Sequence, residues 1–174
     1  MMLKQYNYVG PSEIQAQLNS VPFSQPVDTA QSLLQQLHQL NNDLHESPFL
    51  TVTFVIDKEG NLRICDRHQE HVACARGRPV LSAGEMTFAY QNADYHLERI
   101  TNQSTGYCPE PDSWQVVDSA LKQLGIQYPD FFEPAYDFRR CPRCTQINLI
   151  KDNYYYCAVC ETDLPAFWNC DQKG

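Results

Sequence analysis

No stretch of this 174-residue chain approaches the roughly eighteen consecutive apolar residues that a membrane-spanning helix needs. The opening Met1-Met2-Leu3-Lys4-Gln5-Tyr6 has no apolar run long enough for a secretory signal, so the expected compartment is a reducing cytoplasm. Basic residues are in short supply: 13 Lys and Arg against 21 Asp and Glu leave a net charge of −8. Such a chain repels nucleic-acid backbones, which argues against DNA or RNA as a partner. Missing too are a Gly-rich dinucleotide fingerprint, a phosphate-binding Walker loop and an HExxH helix, and with them any established catalytic motif. There is no internal repeat, no low-complexity tract and no long linker. An apolar content of 43% and a charged content of 20% leave a soluble globular protein, large enough for one ordinary domain and a small appendage.

What the chain does have is cysteine at informative spacing. Cys141-Pro142-Arg143-Cys144 is followed, after twelve residues, by Cys157-Ala158-Val159-Cys160. One CxxC turn presents two sulfurs to an ion, and an intervening hairpin returns the chain so that a second turn completes a tetrahedron. The spacing predicts a four-thiolate zinc ribbon over 139–170, with one structural Zn2+ held by Cys141, Cys144, Cys157 and Cys160. Iron fits the same cage by spacing alone. Such a site keeps no position open for water, so the metal holds structure and does no chemistry. Eight cysteines in a secreted chain would suggest disulfides; with no secretory signal and four of them in paired knuckles, metal is the better reading. Within the ribbon Arg139, Arg140, Arg143 and Lys151 are offset by Asp137, Asp152, Glu161 and Asp163, leaving no basic face.

The remainder reads as an α+β domain over 1–138. Residues 1–48 are Gln-rich and expected to be helical. Ser12 and Gln15 fit a capping box for a helix through Asn19, Pro22 and Pro26 interrupt, and Asp28 caps a second helix. Leu33, Leu34, Leu37 and Leu40 give that helix one apolar stripe, too short for a coiled coil and suited to docking on the next segment. From Leu50 to Ile56 the composition turns β-branched and aromatic; a turn at 57–61 and a return over 62–65 predict a hairpin. Further strands are expected at His71–Cys74, Val80–Leu81, Met86–Tyr90 and Tyr95–Thr101, with a turn at 92–94, giving a central antiparallel sheet. Asp112 opens one long helix through Leu124, its face made by Trp114, Val117, Leu121 and Leu124, and Gly125 stops it. Phe131, Phe132, Tyr136 and Phe138 then run straight into the ribbon, which is expected to pack on the main domain.

Two loops are compositionally conspicuous. One runs from Arg67 to Cys74 and on through Gly77-Arg78-Pro79 to Glu85; the other is Asn102-Gln103-Ser104-Thr105-Gly106-Tyr107-Cys108-Pro109-Glu110-Pro111. Crowded ionisable, amide, hydroxyl and phenol groups make His71, Glu85, Asn102, Ser104, Tyr107 and Cys108 candidate ligand- or partner-binding residues. Backbone N–H groups at such a strand–helix junction can face an anionic ligand; the same composition equally fits a hydrogen-bonded corner that braces the sheet. Cys74 or Cys108 with His71 and Glu85 would supply a nucleophile, a base and an orienting acid if they met. His68, His71, Cys74 and Cys108 offer metal-ligating atoms, but a strand at 71–74 sends His68 and His71 to opposite faces.

The strings His71-Val72-Ala73-Cys74-Ala75, Gly77 to Glu85, Asn102 to Pro109, Asp112-Ser113-Trp114 and Phe138 to Cys144, continuing to Leu164-Pro165, resemble a family of uncharacterised bacterial proteins of similar length that end in a four-cysteine zinc ribbon. The resemblance runs from Tyr8-Val9-Gly10-Pro11 to the ribbon. It implies no activity. In that family a histidine stands at the position of His71 but not of His68, which favours His71 as the residue with a role. The expected function is a cytoplasmic, zinc-bound, non-catalytic module that recognises a protein partner or small ligand through the two loops. The alternative is an enzyme acting on a nucleotide-like or acylated substrate through His71, Glu85, Tyr107 and Cys108.

Overall fold

A computed structural model describes residues 2–18, 24–41 and 47–172. Its centre is a five-stranded antiparallel sheet in the order β1-β3-β2-β4-β5: β1 Pro26–Val27, β2 Phe49–Asp57, β3 Leu62–Asp66, β4 Val80–Gln91 and β5 Asp94–Thr101. The helices are short: α1 Ser12–Ala16, α2 Ala30–Leu40, α3 His71–Cys74 and α4 Trp114–Leu124. A separate hairpin, β6 Asp137–Arg140 with β7 Ile147–Ile150, carries the cysteine knuckles. The architecture is α+β, as the residue pattern predicts.

Strand β2 shows why the sheet forms. From Val52 to Asp57 every residue is buried, because both faces of the sheet are covered. Val52, Phe54 and Ile56 alternate onto one face, where they pack with Leu33 and Leu37 of α2 and Val117 and Leu121 of α4. Val55 points to the other, against Val72, Cys74, Ala83 and Tyr107. A strand covered on both sides reads as a continuous apolar run.

Several elements differ from the sequence expectation. The N-terminal part is not mainly helical: α1 ends at Ala16, no side chain caps it, and Asn19 and Pro22 lie outside the described residues. Tyr6 pairs antiparallel with Val80, and Pro26–Val27 form an edge strand on β3, a place where proline's missing N–H costs nothing. The cap of α2 is Thr29, not Asp28. Its hydroxyl accepts from Ser32 N–H while the Ser32 hydroxyl accepts from Thr29 N–H. Asp112 does not cap α4 but sits in a 3-10 turn at Pro111–Ser113. His71–Cys74 is a helical turn, not a strand. It closes through Gly77 N–H to Val72 O and Arg76 N–H to Ala73 O, with Arg76 and Gly77 both left-handed at φ 58° and 74°.

The expected strands at 80–81 and 86–90 are one strand. Ser82, Ala83, Gly84 and Glu85 pair in register with Ile56, Val55, Phe54 and Thr53. The small side chains of Ser82, Ala83 and Gly84 mark close approach rather than a loop. Ser82 Oγ meets Ser113 Oγ at 2.9 Å. At Gly84 the backbone of Thr101 comes so near that a Cβ would lie 1.8 Å from its carbonyl oxygen. Gly84→Ala therefore forces β4 and β5 apart, and we expect it to cost at least about 3 kcal/mol in chemical denaturation. Gly60→Ala, at φ 88° with nothing within 4 Å, should cost only about 1–2 kcal/mol of backbone strain. Equal losses at the two glycines would contradict the close approach.

Candidate metal centre and the neighbouring loops

The four sulfurs of Cys141, Cys144, Cys157 and Cys160 all lie within 4.8 Å of one another. Cys141 Sγ is 3.5 Å from Cys160 Sγ, and Cys144 Sγ is 3.5 Å from Cys157 Sγ. A tetrahedron with Zn–S bonds of about 2.3 Å has edges of about 3.8 Å, so the donor set fits one tetrahedral ion.

The two knuckles repeat one hydrogen-bond pattern. Cys141 N–H donates to Gln146 O and Thr145 N–H to Cys141 O; in the second knuckle Cys157 N–H donates to Thr162 O and Glu161 N–H to Cys157 O. Thr145 and Glu161 both adopt left-handed backbone, φ 65° and 58°, which turns each loop so that amides face sulfur. Cys144 N–H approaches Cys141 Sγ at 3.4 Å and Val159 N–H approaches Cys157 Sγ at 3.4 Å. Asn148 joins the two halves. Its amide N–H approaches Cys157 Sγ at 3.6 Å and its carbonyl accepts from Ala158 N–H at 2.9 Å.

These donors favour thiolate. Burial pushes the Cys157 thiol up, but the Cys160 and Val159 amides and Asn148 bring it down to about 6. Thr162, through its hydroxyl and its backbone, lowers Cys160. At Cys144 the Gln146 amide lowers the thiol, yet burial and the three neighbouring thiols push it up to about 12. Four sulfurs this close cannot all ionise without a cation between them. A bound zinc would supply that positive charge and nothing reactive.

The tail after the ribbon is tied back by buried polar groups. Arg139 donates to the carbonyls of Phe138, Pro165 and Ala166, and Arg140 to those of Thr145 and Cys170. Asn169 pairs with the backbone of Arg140 through both ends of its amide. Trp168 Nε1 donates to Cys108 O at 2.8 Å, and its ring meets Tyr6 edge-on. Asn148, Thr162 and Asn169 are the functional residues that spacing missed. The one available signal was an asparagine interrupting the apolar Ile147–Ile150.

The loop candidates occupy interior positions. His71 Nε2 lies 2.9 Å from Gly84 O, and burial lowers its pKa to about 4. Glu85 is half-buried in β4 between Thr53 and Thr101. Asn102 donates to Pro109 O and Tyr136 O and accepts from Tyr136 N–H, joining its own loop to the approach to the ribbon. Tyr107 is fully buried and donates to Arg78 O. Ser104 Oγ is buried and has no partner among the described residues. Cys74 packs with Tyr107, whereas Cys108 packs in a different cluster with Phe138 and Cys170. His68 is exposed beside Asp66. Among the described residues the four ribbon cysteines are the only group gathered as a metal would require; His68, His71, Cys74 and Cys108 are not.

Two outcomes follow. Cys141→Ser should abolish stoichiometric zinc in native mass spectrometry and loosen the C-terminal third, since such a unit has little else to fold on. Asn148→Ala should keep one zinc but weaken it by about tenfold in a competitive chelator titration; unchanged affinity would remove the second-sphere role. For His71 the sign is set by a folded pKa below the unfolded 6.5. Its contribution is complete above pH 6.5 and is lost as pH falls toward 4, by at most about 3 kcal/mol. The imidazole NMR signal should titrate near pH 4; titration near 6.5 would contradict its burial.

No helix among the described residues is long and apolar enough to cross a membrane. No protein-family model, no curated protein and no solved structure matches the chain. The family resemblance is therefore supported only as far as a four-cysteine cluster on a two-stranded hairpin, consistent with a zinc ribbon.

Proposed function

We propose that this protein is a non-catalytic recognition module in which one zinc, held by Cys141, Cys144, Cys157 and Cys160, fixes structure and a protein or small-molecule partner binds elsewhere on the surface. One observation carries the reading. Three loop side chains that could act as base or nucleophile, His71, Cys74 and Cys108, are turned inward onto backbone carbonyls. His71 faces Gly84 O, Cys74 faces Arg63 O at 3.6 Å and Cys108 faces Thr105 O at 3.3 Å. A catalytic set needs these groups within reach of one another and open to substrate. Burial instead raises the Cys74 thiol and lowers His71, while the contact with Cys170, together with burial, raises Cys108.

The two conspicuous loops, on this reading, frame the far face of the sheet and the seat of the ribbon. Charge supports a partner other than nucleic acid: with Arg139 and Arg140 engaged internally, the exposed Arg143 and Lys151 are outnumbered by exposed Asp152, Glu161 and Asp163. A reducing cytoplasm suits eight free thiols.

Residue-resolved alkylation of the zinc-loaded protein at neutral pH tests the non-catalytic reading. Cys65, Cys74, Cys108 and Cys170 should all react more slowly than a free model thiol. Any of the four reacting faster would mark an activated nucleophile and replace this reading with the enzymatic one.

A further inference from the structure

The sheet ends at β5, and among the described residues no strand pairs with its outer edge. At its C-terminal end Glu133 N–H donates to Ile100 O, so the segment before the ribbon covers the strand there. From Asp94 to Glu98 the strand instead borders a groove of about 930 Å³, between α2 and residues 126–129. Its walls carry Leu33, Leu34, Leu37, Leu97, Ile126 and Tyr128.

Alternation along β4 gives the direction of the edge groups. Tyr90 N–H donates to Pro48 O on the β2 side, so the flanking Ala89 and Gln91 turn toward β5, where they pair with His96 and Asp94. Tyr95 and Leu97 consequently present their peptide groups outward. Asp94 takes the Tyr95 N–H at 2.8 Å. By the same alternation Leu97 directs its N–H and C=O away from β4, on the side of the apolar groove. Among the described residues that line the groove, formal charge has one sign: Asp94 and Glu98 are both exposed, and none is a lysine or arginine.

We propose that this groove docks an extended segment of a partner protein, which adds to β5 as a sixth strand. Its backbone pairs with Leu97, alternate apolar side chains enter the groove, and Lys or Arg residues flanking them face Asp94 and Glu98. Strand addition draws affinity from main-chain hydrogen bonds and specificity from pockets for alternate side chains, and a cation suits an acidic rim on a chain of net charge −8. The inference rests on reading the chain as a recognition module, and names the surface that does the recognising.

A random-peptide display library selected on the zinc-loaded chain, with counter-selection on the Asp94→Lys/Glu98→Lys variant, tests it. Both residues are exposed; Glu98→Lys alone, which leaves the Asp94–Tyr95 hydrogen bond in place, should keep the parent's unfolding midpoint and serves as the fold control. The expected yield is peptides alternating apolar residues with Lys or Arg, binding the variant at least about tenfold more weakly. In amide exchange the winning peptide should protect Leu97, and N-methylation of its pairing amides should abolish binding. No enrichment over the variant, retained binding after N-methylation, or protection confined to residues away from 94–98 would overturn the proposal. So would self-association of the chain through β5 that excludes peptide, which would assign the groove to a second copy. Alkylation rates at the buried thiols are independent of these readouts, so failure at the groove and failure of the non-catalytic reading are told apart.

Discussion

Four sulfurs held within 4.8 Å of one another are the constraint on which the C-terminal third depends. The buried cluster around them consists of Cys141, Cys157 and Leu164, with Leu164 its sole fully buried aliphatic side chain. A unit of this size cannot bury enough apolar surface to offset its conformational entropy. A metal held by the four sulfurs would stand in for a core, and the amides and Asn148 for the packing that orients core side chains. The consequence reaches beyond the ribbon. With the hairpin fixed, Arg139, Arg140 and Asn169 pin the tail, and the tail brings Trp168 over Cys108 and Tyr6. The N-terminal segment, the 102–110 loop and the end of the chain thus meet at one place.

A second constraint explains why the polar loops look functional. A sheet covered on both faces leaves its connections running through the interior, and buried polar groups need partners. Asn102 satisfies three backbone groups across two segments, and Tyr107 and His71 each satisfy a carbonyl. The residue types that build such a corner are the ones that build a ligand cradle, because both tasks require donors and acceptors at fixed positions. Composition cannot separate the two; only the direction of each side chain does.

Legibility followed the range of the interaction. The four ligands, the hairpin at 49–66, the turn at Asn92-Ala93 and the stop at Gly125 are local, and each was readable from neighbouring residues. What was missed depends on distant chain. Tyr6 becomes a β-bridge because Val80 is there, and Gly84 is small because Thr101 passes over it. The turn at His71–Cys74 is too short for a helical period to register, although the left-handed Arg76-Gly77 pair closes it. Asn148 escaped for a similar reason: its partner Cys157 lies in the opposite knuckle.

The groove beside β5 belongs to this second category, since α2, β5 and residues 126–129 meet only in the fold. Its position also answers a problem common to edge strands, which invite uncontrolled pairing. Here the bulge opposite Thr87 and Phe88, together with exposed Asp94 and Glu98 at the groove, breaks the flat apolar edge that would promote aggregation. Those charges do not close the edge to every strand. They leave Leu97 available beside an apolar wall and set an acidic toll at the rim, so an uncharged or acidic strand loses what a cationic one gains. The features that guard the edge against itself are thus the ones that would select a partner.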